Sequence, residues 1–505
     1  MSSASDRARR FVRAHGLWLI GAALVALPVL LFRYIPAQDY PEHLAAIRVV
    51  HSLSDPQFGL SRDFVLSFGR TNCLFFYVLG SALAYVTGVW CAGKLLCAAC
   101  VATTFLGVRA LALALRRDER VALFSIPLLY GPLFVLGLLP FLCAVSLSLW
   151  TIAIAIRALD RPTLRNIVAL LVMSLLLSQS HPLPYAVFLL ALAGHLARGH
   201  RLLVALAIAP SVVVFIAWLV GTAAGDQVRS MFSRSGGGEG VSLAHALVSV
   251  ATWTVDAFRD RSDECFGIAM LAVAVAATVL GCRQAAARPR LLLHGLAPIG
   301  CAIVYLFGEW RHGYTAPLSQ RYALIATLLV LPLLRFPRGR LRAHVTAALL
   351  VVGLGTLVNV VVHFERFDRE AGNFDQLIAH IAPRRHVAAL IFDSESTSMR
   401  FFPFLHFAAY YQVARGGVVK FSFVGYNHWP IDFRDGRYPP PGAPAEPGWE
   451  FRPRSVSVSD EPLPYYDAVI TRGAGFAPPL GTFERRFESG GWSLWERSKP
   501  RPAAE

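Results

Sequence analysis

Long apolar runs separated by short polar connections occupy the chain up to about residue 362. A helix needs about 20 apolar residues to cross the hydrocarbon core of a bilayer, and most of these runs approach that length. The pattern therefore predicts a polytopic α-helical membrane protein. The runs cover residues 17–33, 73–90, 93–115, 121–134, 137–158, 166–180, 183–198, 202–222, 266–282, 291–308, 321–335 and 343–362.

Composition agrees with this interpretation. Of the 505 residues, 55% are hydrophobic and only 16% are charged, and the mean hydropathy is +0.50, so the apolar excess must face lipid. The formal charge of +16 does not indicate nucleic-acid binding, because the basic residues show no face with interleaved aromatic residues. Cys97 and Cys100 form a C-x-x-C inside an apolar run without a second pair, which favours packing over a metal site.

The basic clusters predict the topology, since Lys and Arg concentrate in cytoplasmic loops. If every apolar run crossed, the cluster from Arg116 to Arg120 and the later ones would lie outside. One earlier run therefore does not cross, and 73–90, with its Gly and aromatic content, is the best candidate for an interfacial segment. This gives about eleven transmembrane helices in the cytoplasmic (inner) membrane, a cytoplasmic N-terminus and a first outer loop at 34–72.

Composition changes sharply after residue 362, and the region 363–505 is predicted to be a soluble, extracytoplasmic α/β domain following a membrane domain at 1–362. A helical pattern covers 372–382. Strand-like runs and a final hairpin around Ser489-Gly490-Gly491 complete the domain. The predicted strands are 386–392, 417–424, 467–471, 483–488 and 492–497.

The first outer loop opens with Asp39-Tyr40-Pro41-Glu42-His43. Proline suits the first turn of a helix, so Glu42 and His43 fall in that turn and Asp39 lies at or just before its cap. This arrangement holds a carboxylate at the membrane surface, where it can act on a substrate. An ordinary helix cap is the alternative interpretation.

Other polar residues of the predicted outer face can bind an anion. His181 lies in a Pro-broken turn between two spans, and Arg311, His312 and Arg321 lie around a later outer connection, against the positive-inside bias. Arginine suits bidentate phosphate recognition, and Lys94 would add a third cation. A merely solvent-exposed turn and anchoring to lipid headgroups are the alternatives.

The arrangement resembles the GT-C superfamily of membrane glycosyltransferases, which includes protein O-mannosyltransferases and the aminoarabinose transferase. Asp39-Tyr40-Pro41-Glu42-His43 looks like the acidic motif of that family's first outer loop. The segment 130–158, the His-Pro turn at 181–182 and the ending Tyr466-Asp467-Ala468-Val469 with the hairpin from Phe487 to Trp495 look like features of bacterial members. The resemblance covers nearly the whole chain.

The resemblance implies a transferase that moves a sugar from a polyprenyl phosphate to an acceptor glycan, lipid or protein at the outer face of the cytoplasmic membrane. Asp39 would be the general base, with Glu42 or His43 assisting, and Lys94, His181, Arg311, His312 and Arg321 would contact substrate or phosphate. The chain departs from the family by lacking an adjacent acidic pair and an acid near Val135–Pro140, which puts a divalent metal in doubt. No cofactor or metal ligand is assigned.

Two other functions compete with this one. A transporter fits the span count, but transporters place polar or helix-breaking residues near the bilayer midplane and show paired repeats, whereas the polar residues here concentrate at the outer edge. A non-catalytic scaffold with an external binding domain is also compatible with the pattern. Convergence of Asp39, His181, Arg311 and Arg321 on one lipid-accessible cavity would favour the enzyme.

Overall fold

A bundle of helices is followed by a smaller region built on a β-sheet. The structure is a computed structural model that describes residues 4–195, 200–230, 238–282, 289–312, 315–420, 422–425, 428–434, 451–455, 463–478 and 480–498. The helices of the bundle are α1 (Ala4–Leu31), α2 (Tyr40–Ser52), α3 (Leu74–Thr87), α4 (Val89–Ala114), α5 (Pro132–Val135), α6 (Leu139–Asp160), α7 (Leu164–Ser178), α8 (Pro182–His195), α9 (Arg201–Gly221), α10 (Ala223–Ser230), α11 (Leu243–Val248), α12 (Val250–Thr254), α13 (Ser262–Cys282), α14 (Pro289–Phe307), α15 (Arg321–Val330) and α16 (Arg340–Ala371).

Several of these helices can cross a bilayer, which agrees with the predicted membrane protein. Within the described residues, five helical segments are long and apolar enough to span: Val89–Ala114, Leu139–Asp160, Arg201–Gly221, Ser262–Gly281 and Arg340–His380. Shorter apolar helices pack among them, at His15–Leu31, Leu74–Thr87, Leu164–Ser178, Pro182–His195, Leu293–Phe307 and Arg321–Leu333. Many large apolar side chains on these helices point outward, as expected where lipid replaces water.

Contacts between helix ends define the two ends of the bundle. At one end, Arg109 of α4 approaches His15 of α1 at 3.2 Å and pairs with Glu119 at 2.7 Å. At the other end, the Lys94 ammonium of α4 donates to the carbonyl of Phe32, just after α1. Helices α1 and α4 are therefore antiparallel. We call the second end the Asp39 end, because Asp39 follows α1 there.

Helices α2 and α3 both lie at the Asp39 end. The N–H of Phe75, at the start of α3, donates to the carbonyl of Gln179 after α7, and Gly88 joins α3 directly to the start of α4. Gly88 has a φ of +75°, a conformation that favours glycine and permits the abrupt change of direction between the two helices. With 14 residues, α3 is only about 21 Å long. It corresponds to the run 73–90 of the sequence.

The apolar run 121–134 is not the continuous helix that its composition predicts. Residues Glu119–Leu128 form a 3-10 helix that contains Pro127, and α5 begins only after Gly131. Proline removes a backbone donor and clashes with the preceding turn, which explains the break. The segment still connects the two ends of the bundle, because Glu119 lies beside Arg109 and the Val135 carbonyl accepts from the Gln38 N–H at 2.8 Å.

Strands and two short helices complete the chain. Strands β1 (Phe64–Leu66), β2 (Gly238–Glu239) and β3 (Arg311–His312) belong to the bundle region, and α17 (Phe374–His380), β4 (His386–Ile391), α18 (Ala409–Arg415), β5 (Val418–Val419), β6 (Ile431–Phe433), β7 (Ala468–Arg472), β8 (Phe483–Ser489) and β9 (Trp492–Arg497) follow it. The main sheet has the order β5-β4-β7-β9-β8, with β5, β4 and β7 parallel and β7, β9 and β8 antiparallel.

The predicted strands at 386–392 and 467–471 and the final hairpin are present, whereas the predicted strand at 417–424 is reduced to Val418–Val419. Much of the sequence between β6 and β7 lies outside the described residues. Helix α16 continues through residue 362 without a break and ends at Ala371, whose carbonyl accepts from the buried Trp492 indole N–H at 2.9 Å. This contact joins the sheet to the bundle.

The sheet region is attached to the Asp39 end at a second place. Strand β1 of the first loop pairs antiparallel with β6, with Phe64 opposite Phe433 and Leu66 opposite Ile431. The Arg33 guanidinium adds a two-pronged ion pair to Asp375 of α17, with both N–O distances 2.9 Å. The segments on either side of α2 are therefore both held by the C-terminal region.

Candidate active site

Asp39 is the residue that precedes α2, but its carboxylate does not cap the helix. Its backbone has φ −88° and ψ −3°, and no helical N–H donates to its side chain. Proline at position 41 has no N–H to offer, and Asp39 lacks the extended conformation that capping residues usually adopt. The ordinary helix cap is thus not the function of this carboxylate.

The backbone beside Asp39 is clamped against the loop that follows α5. The N–H of Gln38 donates to the Val135 carbonyl at 2.8 Å, and the N–H of Asp39 donates to the Leu136 carbonyl at 3.2 Å. Gly137 lies so close that a Cβ there would be 2.5 Å from the Asp39 nitrogen, and its φ is +81°. Only glycine fits this approach, so the loop fixes the position of Asp39.

Two nitrogen atoms lie near the Asp39 carboxylate. The Gln38 side-chain amide donates to Oδ1 at 3.3 Å, and Nδ1 of His406 lies 3.1 Å from the same oxygen. The side chain of Asp39 is 16% exposed and that of His406 is 3% exposed. His406 comes from the C-terminal region, and the sequence carried no signal for it beyond a lone histidine among aromatic residues.

His43, one helical turn after Asp39, uses both of its ring nitrogens. Nε2 donates to the Gly137 carbonyl at 3.0 Å, and Nδ1 accepts from the Tyr77 hydroxyl at 2.9 Å. Its ring also stacks on Trp429, with ring centroids 5.2 Å apart and an angle of 12°. Burial lowers the pKa of His43 to about 4. A neutral imidazole therefore ties α2 to α3, to the loop after α5 and to the C-terminal region.

His181 and Arg321 meet at the same end of the bundle. Nε2 of His181 lies 3.3 Å from Nη1 of Arg321, while its Nδ1 accepts from the N–H of Leu183 at 3.2 Å. Both partners of this imidazole are donors, since a guanidinium and a backbone N–H cannot accept a hydrogen bond. His181 therefore orients the guanidinium of Arg321, and Arg321, whose Nη2 has no hydrogen-bond partner within the described residues, is the member of the pair that can donate to an anion.

Two observations connect this pair to Asp39. The Asp39 carboxylate lies within electrostatic range of Arg321, and both lie within electrostatic range of His428. The surrounding protein, with Arg321 nearby, lowers the pKa of His428 to about 4. His181 interacts with Arg321 and His428 in the same way, so these four residues form one electrostatically connected group at the Asp39 end.

The other site residues predicted from the sequence have surroundings that differ from those of Asp39, His181 and Arg321. Glu42 is buried on α2 and only 3% exposed. Lys94 donates to the Phe32 carbonyl near Asp368, at the end of α1. Arg311 is exposed on β3 opposite Glu239.

His312, also on β3, pairs with Glu309 at 2.8 Å through Nδ1. Among the described residues, no group of three or more His, Cys, Asp or Glu side chains is arranged to hold a metal ion. The apolar cavity of about 20 Å³ beneath this region, bordered by Phe134 and Leu139, is too small and too apolar to hold a polar substrate.

The lowered pKa of His43 predicts a loss of stability in acid. Its pKa is about 4 in the folded protein and about 6.5 when unfolded, so between these values the unfolded chain binds more protons. Stability should therefore fall as the pH drops from about 6.5 to 4, by up to about 1.4 kcal/mol per pH unit from this residue. Thermal unfolding of purified protein at several pH values measures the effect.

His43→Gln is the matched variant, because its amide can still donate to Gly137 but does not titrate. We expect a weaker dependence of Tm on pH in this window, not its abolition, since His428 titrates there as well. Identical slopes for the parent and His43→Gln would contradict the assignment.

Comparison with known proteins gives one informative result. No protein-family model and no curated protein sequence matches the chain. Among solved structures, the crystal structure of ArnT from Cupriavidus metallidurans in the apo state aligns with a TM-score of 0.57 at 11% sequence identity, covering 95% of this chain and 97% of that one. The chain therefore shares its overall fold with this ArnT structure over nearly its whole length.

Proposed function

We propose that the protein is a membrane glycosyltransferase that transfers a sugar from a polyprenyl-phosphate donor to an acceptor at the outer face of the cytoplasmic membrane. The observation that carries the proposal is the combination of one carboxylate, Asp39, with the guanidinium of Arg321, which His181 orients and which lies within electrostatic range of Asp39. A base for the acceptor and an anion site for the leaving group are the two elements that such a transfer needs.

Asp39 is the general base in this proposal. Its carboxylate takes the proton of the acceptor hydroxyl while the acceptor oxygen bonds to the anomeric carbon of the sugar. The bond between that carbon and the phosphate oxygen breaks, and its electron pair stays with the lipid phosphate. The clamp formed by Val135, Leu136 and Gly137 supports this role, because a base must be held in place to act within hydrogen-bonding distance.

Arg321 holds the phosphate, and His181 orients its guanidinium. Arg321 also donates from Nε to the Pro317 carbonyl at 2.6 Å and lies over the Phe141 ring at 5.6 Å, so its orientation is set before a substrate arrives. Among the described residues, its Nη2 has no hydrogen-bond partner. Preoriented N–H donors stabilise the charge that develops on the leaving phosphate, and they do so most strongly in surroundings of low polarity.

A lipid-linked donor fits this position better than a soluble one. Arg321 is the first residue of α15, and His181 directly precedes α8, so both side chains lie where helices of the bundle begin. A phosphate held there leaves an attached polyprenyl chain beside the apolar flanks of the helices. The proposal assigns no phosphate contact to Lys94, Arg311 or His312, whose surroundings do not support one.

We further infer the arrangement in the membrane. About eleven segments cross, the N-terminus is cytoplasmic, α2 and α3 lie along the outer surface, and residues 363–505 form an extracytoplasmic α/β region. The alternation of helix ends supports this, as does the placement of α2, α3 and the sheet at one end of the bundle.

The topology can be tested by labelling single cysteines in intact cells. Glu488 on β8 and Arg338 at the opposite end are both exposed, and the exposed native Cys91 and Cys265 are first replaced by serine. We expect a membrane-impermeant maleimide to label Glu488→Cys in intact cells and Arg338→Cys only after permeabilisation. The reverse pattern would contradict the orientation.

Substitution of Asp39 tests the base. Asp39→Asn keeps the size of the side chain but removes its basicity, so transfer should fall roughly 100- to 10,000-fold while protein levels stay near those of the parent. The control is Asp55→Asn, a carboxylate of the same outer loop beyond the far end of α2, which should transfer normally. The assay uses purified protein, a panel of polyprenyl-phosphate sugars and detection of the glycosylated product. Undiminished transfer by Asp39→Asn would exclude this residue as the base.

Two arginine variants separate the anion site from general surface charge. Arg321→Gln should lower kcat/KM for the donor roughly 10- to 150-fold, the loss expected for a hydrogen bond to a charged group. Arg311→Gln makes the same charge change on the exposed ribbon and should have little effect. If both variants behaved alike in a donor titration, the assignment of the phosphate to Arg321 would be wrong.

A further inference from the structure

The C-terminal region places one side chain directly beside Asp39, because Nδ1 of His406 lies 3.1 Å from Oδ1. His406 lies in a tight turn before α18, where the N–H of Phe407 donates to the Phe404 carbonyl at 3.2 Å and the N–H of Ala409 donates to the His406 carbonyl at 3.0 Å. Phe404 and Phe407 are completely or almost completely buried on either side of it. The position of the imidazole is therefore set by backbone hydrogen bonds and aromatic packing, independently of Asp39.

The imidazole ends an aromatic layer that reaches back to α2. It meets Phe423 edge to face at 5.0 Å, Phe423 stacks on Trp429 at 5.2 Å, and Trp429 stacks on His43 at 5.2 Å. His43 and Asp39 belong to the same segment of the first loop. This layer fixes the position of His406 relative to Asp39, although the two residues are far apart in the chain.

Only one oxygen of the Asp39 carboxylate receives these contacts. Both Gln38 and His406 approach Oδ1, whereas Oδ2 has no hydrogen-bonding partner within the part of the chain that the structure describes. A largely buried carboxylate is stabilised by polar partners, and here the partners are concentrated on the oxygen that the proposed chemistry does not use. Oδ2 remains for the proton of a substrate.

We propose that His406 is a positioning residue for Asp39: its Nδ1 lies 3.1 Å from Oδ1 without the alignment of a hydrogen bond, and it donates to Oδ1 when the acceptor is bound, which presents Oδ2 to the acceptor hydroxyl. This inference rests on the proposed transferase function and deepens it, because it makes the C-terminal region part of the active site. In the transfer step, the acceptor proton moves to Oδ2, the acceptor oxygen bonds to the anomeric carbon, and the lipid phosphate leaves with the electron pair of the broken bond. His406 donates throughout and neither gains nor loses a proton.

Two substitutions, each of which keeps an N–H donor at the place of one ring nitrogen, test the role. In His406→Asn, the amide nitrogen occupies the place of Nδ1 and can still donate to Asp39, whereas in His406→Gln the amide nitrogen lies at the place of Nε2. We expect His406→Gln to lower kcat roughly 10- to 100-fold, the usual cost of removing a partner that orients a reactive group, with the donor KM within about twofold of the parent. His406→Asn should retain kcat within about threefold.

A purely structural histidine would behave differently. Asparagine is smaller than histidine, so lost packing would harm His406→Asn at least as much as His406→Gln, and kcat, KM and thermal stability would change together. The control for the region is His380→Asn, an exposed histidine on α17, which should match the parent in all three measurements. Equal losses of kcat in His406→Asn and His406→Gln would overturn the proposal.

The double variant Asp39→Asn/His406→Gln isolates the connection between the two residues. If His406 acts through Asp39, adding His406→Gln to Asp39→Asn should lower the residual rate by less than about threefold, whereas independent effects would multiply. Multiplying effects would overturn the proposal.

The same assay separates this inference from the proposed function. If the parent protein transfers no sugar, the transferase function is wrong. If the parent transfers sugar and His406→Gln transfers it equally fast, only the role of His406 is wrong.

Discussion

The arrangement of the Asp39 end depends on holding one carboxylate in a fixed position beside an apolar bundle. Removing a polar group from water is costly unless protein groups replace the water, and the side chain of Asp39 is only 16% exposed. Gln38 beside it and His406 from the C-terminal region approach the carboxylate, while the Leu136 carbonyl accepts from the backbone N–H of Asp39. The helical bundle and the sheet must therefore dock together before this carboxylate acquires its full environment.

That docking is built from contacts on both sides of α2. Before the helix, Arg33 pairs with Asp375; after it, Arg70 pairs with Asp432 and β1 pairs with β6. Most of these contacts are polar and lie at the surface, where single ion pairs contribute little stability. Their main effect is on position and not on stability, because together they hold the first loop in one place relative to the sheet. The buried Trp492, donating to the end of α16, adds the apolar part of the same attachment.

The histidines near Asp39 have separate tasks although they look alike in sequence. His43 uses both nitrogens to connect elements, and burial keeps it neutral. His181 lies between two donors, the N–H of Leu183 and Nη1 of Arg321, and orients the guanidinium. His406 faces Asp39. The partners of each ring nitrogen decide which role an imidazole takes, and those partners are tertiary.

The sequence by itself determined that the chain is a helical membrane protein followed by a mixed α/β region, because apolar run length and strand alternation are local properties. It also singled out Asp39, His181 and Arg321, since each stands next to a proline or a helix end that local rules recognise. His406 carried no local signal, and Lys94 and Arg311 were selected on charge alone. Only the tertiary structure shows the surroundings of these side chains, because a side chain's partners depend on which distant segments pack together, and neither the β1–β6 pairing nor the close approach of Gly137 to Asp39 leaves a periodic signal in the chain.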